Sequence, residues 1–409
     1  MKLMLVSLNY SPELTGIGKY NGEMCPELVS KNIEVSAIVA PPYYPEWKVH
    51  SGHSAWSYKT ECIDGVLVTR CPIYIPSNLS TIKRIFHLAS FALTSTLALL
   101  SKVFTRPDVI VLVQPTLFCA PFVLLFSKLV GAKTVMHVQD YEIDAMFGLG
   151  MVGEGRVTTL VKKLECWLTK RFDAISTISY SMIDKAKAKG GNQDSIIYFP
   201  NWSDVNFVTP ETDGRTLKSE WGFKESDKII LYAGNIGKKQ GLEIVLEAAA
   251  QFTTKSGIYF VIVGSGGHVD VLKELATQMK LSNLYFKPLL PWVRVPEMLA
   301  MADIHLVIQK KGVADAVLPS KLTNILSAGG HAIVTAESET ELGCLPKRFP
   351  GIFNCIEPES VNLLIKTLEQ LLTNNGGEHN KVARQFAEEY LDKNKIIDNF
   401  IADLGKVLA

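Results

Sequence analysis

Short runs of consecutive apolar residues recur along the chain, and stretches with helical periodicity separate most of them. In the first half these runs cover residues 2–8, 34–40, 66–72, 108–113, 133–138, 174–179 and 195–200. In the second half they cover residues 228–234, 259–264, 284–288, 304–309, 331–336 and 351–357. A continuous apolar run of this length is typical of a parallel strand that is buried on both faces. The alternation of strands and helices therefore predicts an α/β fold with doubly wound sheets.

The strand–helix pattern is interrupted near residue 205 and then starts again. The interrupting stretch, NWSDVNFVTPETDGRT (201–216), is polar and contains Pro210 and Gly214, which is typical of a linker. A chain of 409 residues also exceeds what one hydrophobic core usually supports. We therefore predict two Rossmann-like domains, 1–205 and 206–385, followed by an amphipathic C-terminal helix in 386–409.

Composition narrows the class of protein. The chain is 47% apolar and 20% charged with a net charge of +1, which suits a globular protein and argues against a nucleic-acid binder. Its seven cysteines are scattered and never spaced as CxxC, which favours reduced thiols over disulfides or a zinc site. No signal peptide and no apolar stretch of about 18 residues is evident, so a cytoplasmic protein without a spanning helix is expected.

The stretch YSPELTGIGKY (10–20) places two glycines between the first strand and the first helix. Gly16 and Gly18 would let the backbone come close to a phosphate, and Lys19 could neutralise its charge. A dinucleotide fingerprint fails because the next glycine, Gly22, comes one residue late. A P-loop fails because Tyr20, not Ser or Thr, follows Lys19. The stretch is either a ligand loop or a turn that glycine permits before a helix.

A series of ordered motifs identifies a family. They are RPDVIVLVQPTLF, AKTVMHVQD, FDAISTIS, IIYFPNWSDVNFVTP, IILYAGNIGKKQGLEIVLEA, FVIVGSGG, ADIHLVIQ and LPSKLTNILSAGGHAIVT. In this order the chain resembles the family-4 (group 1 type) GT-B glycosyltransferases over nearly its whole length. The segments APPYYPEW, GNIGKKQGLE and ADAVLPSKLTNIL are similar to WcaI-type fucosyltransferases of colanic-acid biosynthesis.

The resemblance implies a GT-B fold, with two Rossmann-like domains that face a central cleft and a C-terminal helix that returns to the N-terminal domain. It implies a retaining transfer of a sugar, L-fucose from GDP-fucose, to a polyprenyl-diphosphate-linked saccharide. The acceptor would bind the first domain and the sugar nucleotide the second, with no cofactor, no catalytic metal and no nucleic acid. A sugar-nucleotide 2-epimerase and a catalytically silent GT-B scaffold remain alternatives.

Most of the expected donor site follows strands of the second domain. Small residues at 234–237 would let backbone N–H groups face phosphate oxygens. Relatives place Arg and Lys where this chain has Asn235 and Gln240, so Lys238, Lys239 or Lys321 would supply the charge, unless the lysine pair is simply solvated. The full predicted donor set is Gly16, Gly18, Lys19, Gly234, Asn235, Gly237, Lys239, Gln240, Gly264, Ser265, Leu290, Asp315, Ser320, Lys321 and Asn324.

The segment 315–324 departs from the family most. Relatives carry two glutamates eight residues apart here, at the positions of Ala316 and Asn324 in this chain. Asp315 or backbone N–H groups would then serve the sugar, and Asn324 the ribose. The alternative is an ordinary helix that begins at a cap near Ser320.

The resemblance also suggests catalytic and acceptor residues in the first half. His137 ends the strand KTVMHV, Asp140 follows it, and relatives keep a histidine near the transferred sugar. A histidine at a strand end can equally be structural. Four aromatic residues on loops would stack on an acceptor sugar or form part of the core. They are Tyr43, Tyr44, Trp47 and Trp56.

A membrane contact is expected from residues 82–104, which are apolar almost all round. Lys83 and Arg84 begin this stretch, and Lys102 and Arg106 end it. Such a helix could lie in the interface of an anionic bilayer, or be buried in the protein. The basic residues at 162, 163, 170 and 171 would reinforce this contact. The expected location is peripheral, at the cytoplasmic face of the inner membrane.

Overall fold

The computed structural model describes residues 1–13, 16–77, 80–139, 141, 156–312, 319–374 and 378–409. Contacts between residues divide the chain into two units. The first consists of Met1–Pro200 and Ile397–Ala409, and the second of Asn201–Ile396. Each unit is an α/β body with its own sheet.

The sheet of the first unit has eight strands in the described part of the chain. They are β1 (Lys2–Ser7), β2 (Glu34–Val39), β3 (Lys59–Ile63), β4 (Val66–Arg70), β5 (Val109–Gln114), β6 (Lys133–Val138), β7 (Ala174–Thr177) and β8 (Ile196–Tyr198). Their order is β3-β4-β2-β1-β5-β6-β7-β8, and only β3 runs antiparallel to its neighbour. Every residue of β5 is buried, as expected for a central parallel strand.

Helices of the first unit connect successive parallel strands. They are α1 (Gly16–Ser30), α2 (Thr81–Ser101), α3 (Ala120–Val130), α4 (Arg156–Thr169) and α5 (Tyr180–Ala188). The Ser80 hydroxyl caps α2 by accepting a bond from the Lys83 N–H, and Ser179 caps α5 in the same way. Because such crossovers are right-handed, helices α2 to α5 lie on one face of the sheet and α1 on the other.

The sheet of the second unit is parallel throughout, in the order β11-β10-β9-β12-β13-β14. Its strands are β9 (Lys228–Ala233), β10 (Ile258–Val263), β11 (Leu284–Lys287), β12 (Ile304–Val307), β13 (Ala332–Thr335) and β14 (Asn354–Ile356). Strand order reverses between β9 and β12. In doubly wound sheets the carboxyl ends of strands at such a reversal form the ligand crevice.

Helices cover both faces of the second sheet. They are α6 (Arg215–Glu220), α7 (Glu243–Gln251), α8 (Val269–Gln278), α9 (Val295–Ala300), α10 (Ser320–Ser327), α11 (Glu341–Arg348), α12 (Val361–Asn374) and α13 (Lys381–Tyr390). Adjacent residues of β9 enter different apolar clusters, with Leu231 in one and Ile230 in the other. Both faces of the sheet are therefore buried, which explains the continuous apolar runs in the sequence.

The segment that resembles a linker in sequence is packed in the structure. Val205 and Val208 are buried in the core of the second unit, so that unit begins at Asn201 and not at 206. The final helix, α14 (Lys393–Leu408), has Phe400 stacked on Phe199 with ring centroids 4.0 Å apart. The C-terminal residues therefore complete the core of the first unit.

The return to the first unit begins at Ile397, later than the 386 expected from sequence. The reason is that Phe386 and Ala387 of α13 are buried in the core of the second unit. Only the residues of α14 from Ile397 onward belong to the first unit.

Helix α2 is unusual in its composition. Among the described residues, only this helix, over Ile82–Ser101, is long and apolar enough to cross a membrane. About two fifths of that segment (39%) is buried within the protein.

Candidate functional site

Two glycine-rich loops meet at the carboxyl ends of β9 and β10. The Ile236 N–H donates to the Ser265 carbonyl at 2.9 Å, and the His268 N–H donates to the Ile236 carbonyl at 3.1 Å. The Gly234 N–H donates to the Val263 carbonyl at 2.9 Å. Loop 234–240 is therefore joined to loop 264–268 by backbone hydrogen bonds.

Glycine is required where these loops touch. A Cβ on Gly264 would lie 1.9 Å from the Gly234 carbonyl oxygen, and a Cβ on Gly266 would lie 2.3 Å from that of Ile236. The sequence placed Gly264 in the predicted donor site. In the structure its missing side chain makes room for the neighbouring loop.

Lys321, in the first turn of α10, reaches the loop that follows β9. Its Nζ donates to the Tyr232 hydroxyl at 2.9 Å and lies 4.1 Å from the centroid of the Tyr232 ring. The Tyr232 hydroxyl in turn donates to the Asn235 carbonyl at 2.6 Å. A Cβ on Gly234 would lie 3.0 Å from the Lys321 Nζ, so glycine at 234 makes room for the lysine.

The Lys321 ammonium has little electrostatic compensation in the protein. Burial lowers the pKa of Lys321 to about 7, because the charged form is withdrawn from water. In the described part of the chain no carboxylate forms an ion pair with it. An anion bound at this loop would supply the missing charge, as a phosphate does beside a lysine.

Further lysines gather at the same edge of the sheet. Lys238 and Lys239 are exposed on the loop after β9. Lys310 follows β12; its N–H donates to the Lys239 carbonyl at 3.1 Å, and a Cβ on Gly241 would lie 2.7 Å from its Cγ. Sequence reasoning missed Lys310, although its place after the strand beside β9 was a usable signal.

A buried amide lies at the end of β12. The Gln309 N–H donates to the Thr335 hydroxyl at 2.8 Å, and that hydroxyl donates back to the Gln309 carbonyl at 2.9 Å. The side-chain Nε2 of Gln309 is buried without a hydrogen-bond partner. A buried donor left open at this edge is suited to a ligand oxygen.

Other predicted donor residues brace the site. The Gln240 Oε1 accepts a bond from the Gly237 N–H at 3.0 Å, so this side chain fixes the loop and does not replace the family's lysine. The Asn324 Oδ1 accepts a bond from the Ser203 hydroxyl at 2.9 Å. Leu290 packs against the core of the second unit.

Two remaining predictions concern the start of α10. Ser320 is the first residue of the helix, and Pro319 occupies the N-cap position without a side-chain cap bond. Ser320 is therefore not the cap. Asp315 lies outside the described residues.

A hydrogen bond joins the residues at the starts of α7 and α8. The His268 Nε2 lies 2.8 Å from the Glu243 Oε1. Burial opposes ionisation of Glu243, but the hydrogen bonds from His268 and from the Glu243 backbone, together with the charge of Lys310, lower its pKa. The pair ties the start of α7 to the loop before α8.

In the first unit, a buried carboxylate organises the glycine loop of the N-terminus. The Glu13 Oε1 accepts bonds from the N–H groups of Tyr43 and Tyr44, each at 2.9 Å, and its Oε2 accepts one from the Asn9 amide at 2.9 Å. Burial raises the pKa of Glu13 despite these donors. A Cβ on Gly18 would lie 2.6 Å from the Glu13 Oε2, so Gly18 makes room for the carboxylate and not for a ligand.

The other residues of that loop are also engaged. Gly16 has φ +57°, a conformation that favours glycine at the start of α1. The Lys19 Nζ forms an ion pair with the Glu23 Oε1 at 3.0 Å and lies 4.7 Å from the centroid of the Tyr20 ring. Lys19 is thus neutralised within its own helix, which weakens its predicted role toward phosphate.

The predicted acceptor aromatics divide into buried and exposed residues. Tyr43 is only 3% exposed, its hydroxyl lies 3.0 Å from the His87 Nε2, and its ring meets the edge of Trp47. Tyr43 is therefore a core residue and offers no face for stacking on a sugar. Tyr44 (39% exposed) and Trp56 (82% exposed) have accessible rings.

His137 stands at the carboxyl end of β6 with both ring nitrogens engaged. Its Nε2 accepts a bond from the Gln139 amide at 2.9 Å, and its Nδ1 therefore carries the proton and donates to the Ser176 hydroxyl at 2.8 Å. Burial lowers the pKa of His137 to about 3, so the ring is neutral. On the neighbouring strand β5, Gln114 pairs in register with Val138, and its Nε2 is buried without a partner. Asp140 lies outside the described residues.

Titratable side chains do not converge into a metal-ligand set anywhere in the described ranges. Lysines and amides gather at the carboxyl edge of the second sheet, together with the Glu243–His268 pair and Glu337, whose Oε2 accepts a bond from the Gly312 N–H. This arrangement suits a diphosphate held by charge and hydrogen bonds.

Comparison with known proteins places the chain in a family. The model of the glycosyl transferase 4-like domain matches residues 15–202, and that of the glycosyl transferases group 1 matches residues 213–390. WcaI of Escherichia coli strain K12, named as a colanic acid biosynthesis glycosyl transferase, is 48% identical over 409 residues, which is 99% of this chain and 100% of that protein.

Solved structures support the same fold. Sucrose-phosphate synthase from Thermosynechococcus elongatus has a TM-score of 0.74 at 12% identity, covering 99% of this chain and 98% of that one. HepE of Anabaena, solved in complex with UDP-glucose, has a TM-score of 0.70 at 14% identity, covering 99% and 100%. These structural similarities confirm the predicted GT-B fold. At such low sequence identity they concern the fold and not the activity. With its two domain matches and its full-length relative, the chain belongs to the group 1 glycosyl transferases.

Proposed function

We propose that this glycosyl transferase moves L-fucose from GDP-fucose to a polyprenyl-diphosphate-linked saccharide, in the assembly of a colanic-acid-like exopolysaccharide. Support for the pathway is the 48% identity to a relative that is named for colanic acid biosynthesis and matches over its full length. A lipid-linked acceptor would place the reaction at the cytoplasmic face of the inner membrane.

The observation that carries the proposal is the lysine-rich carboxyl edge of the second sheet. The Lys321 Nζ lies beside Gly234, Lys239 belongs to the loop that begins at Gly234, and the Lys310 N–H donates to the Lys239 carbonyl. The positive charges of such a cluster would compensate the two negative charges of a diphosphate leaving group, and backbone N–H groups would add hydrogen bonds. Lysine charge would then do at the leaving group what a metal ion does elsewhere.

The proposed chemistry retains the anomeric configuration of the donor. The bond between the sugar C1 and the diphosphate oxygen breaks, and a bond between C1 and the acceptor oxygen forms on the same face. The acceptor proton passes to the departing diphosphate oxygen, so no protein nucleophile is needed. The protein contributes by positioning the partners and by stabilising the charge that develops on the diphosphate.

His137 and Asp140 remain the proposed catalytic residues of the first unit. Because His137 is neutral, it cannot act as a cation toward the diphosphate. We propose that the His137 ring and the Gln139 amide, which are hydrogen-bonded to each other, form a polar, uncharged surface near the transferred sugar.

A transfer assay with a panel of sugar nucleotides tests the donor. The panel contains GDP-fucose, GDP-mannose, UDP-glucose and UDP-galactose, each with an extracted lipid-linked acceptor. We expect turnover with GDP-fucose and a product whose anomeric configuration, read by NMR, equals that of the donor. Turnover with UDP-sugars alone, or an inverted product, would overturn the proposal.

The same assay separates the other candidates. Release of a free epimerised sugar without acceptor would identify a 2-epimerase, and tight donor binding without turnover would identify a silent scaffold. Activity that is abolished by EDTA and restored by a divalent cation would contradict the role given to the lysines.

A further inference from the structure

Helix α2 carries an apolar stripe on its outward side. The outward positions 82, 86, 89, 93, 97 and 100 recur every three or four residues and so share one face, which continues to residue 104. The large side chains of this stripe are all more than half exposed. They are Ile82, Phe86, Leu93, Leu97, Leu100 and Phe104. A helix of a water-soluble protein normally places polar residues on this side.

Helix α3 extends the stripe sideways. It packs against α2 and lies on the same face of the sheet. Phe118 precedes it, and Leu125 and Leu129 stand on its outward side, 70% and 63% exposed. We refer to these three residues and the six large side chains of the stripe as the α2–α3 apolar face. These nine exposed apolar side chains lie on or next to two helices that pack against each other, and large exposed apolar surfaces mark interaction sites.

The charge around this face has a single sign. Residues 71–107 contain Lys83, Arg84, Lys102 and Arg106 and no Asp or Glu. Residues 109–139 contain two lysines and again no Asp or Glu. The basic residues stand near both ends of α2, and the side chain of Lys128 is exposed on α3. The apolar face is thus bordered by positive charge.

This combination selects the partner. Two copies of the chain that met through this face would bring basic borders together without acidic residues to pair with them, which is unfavourable. An anionic lipid surface offers both an apolar interior and negative headgroups. We propose that the α2–α3 apolar face docks the protein on a bilayer that contains anionic lipid, with α2 lying parallel to the membrane plane.

The inward side of α2 explains why the helix lies on the membrane and does not cross it. Phe91 and Leu99 are buried on that side. The Thr94 hydroxyl donates to the Pro72 carbonyl at 2.7 Å, and the Tyr58 hydroxyl donates to the Thr94 carbonyl at 2.9 Å. Helix α2 is held against the sheet along its length, so only its outward side is available to lipid.

Helix α4 adds an interfacial pair on the same face of the sheet. Trp167 is half exposed, and the Arg171 guanidinium lies 3.5 Å from the centroid of its ring. Tryptophan beside a basic residue is favoured at the level of lipid headgroups.

Co-sedimentation of the full chain with vesicles tests the proposal. We expect binding to phosphatidylcholine vesicles that contain phosphatidylglycerol, and much weaker binding to pure phosphatidylcholine. The double variant Leu93→Gln/Leu97→Gln should bind about 100-fold more weakly, or about tenfold for each leucine removed from the lipid. The matched control is Val271→Gln/Leu363→Gln, because both residues are exposed apolar side chains of the second unit. The control should bind like the wild type.

Charge is tested by a second pair of variants. Lys83→Gln/Lys128→Gln should weaken binding to the anionic vesicles about 25-fold at low salt, or about fivefold for each lysine. The control Lys224→Gln/Lys366→Gln removes two exposed lysines of the second unit and should have little effect. Loss of binding by both control pairs, or equal binding to neutral vesicles, would contradict the proposal.

Three further outcomes would overturn it. Wild-type protein should pellet with the anionic vesicles; if it stays in the supernatant, the face does not bind lipid. A dimer in lipid-free solution that the leucine pair dissociates would identify a second copy as the partner. Resistance to alkaline carbonate extraction would indicate a spanning helix.

The docking proposal rests on the proposed function, because a lipid-linked acceptor lies in such a membrane. The test of docking is independent of that function. Vesicle binding is measured without donor or turnover. Transfer to a short-chain, water-soluble acceptor should be unchanged in the Leu93→Gln/Leu97→Gln variant. Failure of docking and failure of the sugar-transfer activity can therefore be told apart.

Discussion

At pH 8 the Lys321 amine is largely neutral without a ligand, because burial holds its pKa to about 7. A diphosphate bound at the Gly234 loop would favour the charged form and raise this pKa again. Binding at pH 8 should therefore take up about 0.9 protons, and binding at pH 6 about 0.1, since the amine is already charged there. The dissociation constant should rise about tenfold for each pH unit above about 8.

Isothermal titration in two buffers of different ionisation enthalpy measures this uptake. GDP-fucose is the ligand of choice, since its diphosphate loses no proton between pH 6 and 8. The variant Lys321→Met keeps the length of the side chain and removes the charge. Its affinity at pH 7 should fall about 10- to 150-fold, which corresponds to the loss of a hydrogen bond to a charged group.

The control for this experiment is Lys366→Met, which removes an exposed lysine on α12. It should leave both affinity and proton uptake unchanged. If wild-type binding takes up no proton at pH 8, or if Lys321→Met binds within about twofold of the wild type, then Lys321 does not hold the diphosphate.

Three further predictions concern residues that position the two sites. Gly264→Ala should weaken donor binding at least tenfold and destabilise the fold by about 1–3 kcal/mol through overpacking. Gly267→Ala should be neutral, because no atom lies within 4 Å of a Cβ at that position. Equal donor affinities and equal free energies of unfolding for the two variants would refute this prediction. His137→Ala should lose activity and stay folded. In the wild type, the imidazole ¹⁵N shifts of His137 should show a neutral ring from pH 5 to 8. A titration midpoint near pH 6.5 would contradict the pKa of about 3. Glu13→Ala should lower the free energy of unfolding, measured by chemical denaturation, by about 1–3 kcal/mol, because it leaves three donors unpaired. Glu13→Gln keeps an acceptor for the backbone N–H groups and should lower it less. The reverse order would be evidence against the role of Glu13 in holding this loop.

The fold could be read from the sequence because its strands are buried. The strands of both central sheets appear as apolar runs, since helices cover both faces. Strand β3 escaped prediction because it is an antiparallel edge strand whose five residues are mostly exposed. The polar segment after residue 200 was misread for a related reason. Its apolar residues, Trp202, Val205, Phe207 and Val208, are interrupted by polar residues and do not form a strand-length run, yet Trp202, Val205 and Val208 are buried.

The site was harder to predict, because its contacts join residues that are far apart in sequence. Glu13 binds backbone groups 30 and 31 residues away, and Lys321 reaches a hydroxyl 89 residues away. Sequence can show that a glycine such as Gly18 or Gly264 needs space, but not which neighbour fills it. The sequence could not decide between an acceptor surface and the core for Tyr43 for the same reason, since its burial depends on His87 from another element.

The return of the chain's end to the first unit has a consequence for synthesis. Phe199 emerges from the ribosome long before Phe400, which covers it in the finished protein. The N-terminal half must therefore wait, with part of its core uncovered, until the residues around Phe400 have been synthesised. A premature stop that removes only the last residues would leave the second unit whole and damage the first. A tag fused to the C-terminus would be attached to the N-terminal body of the enzyme.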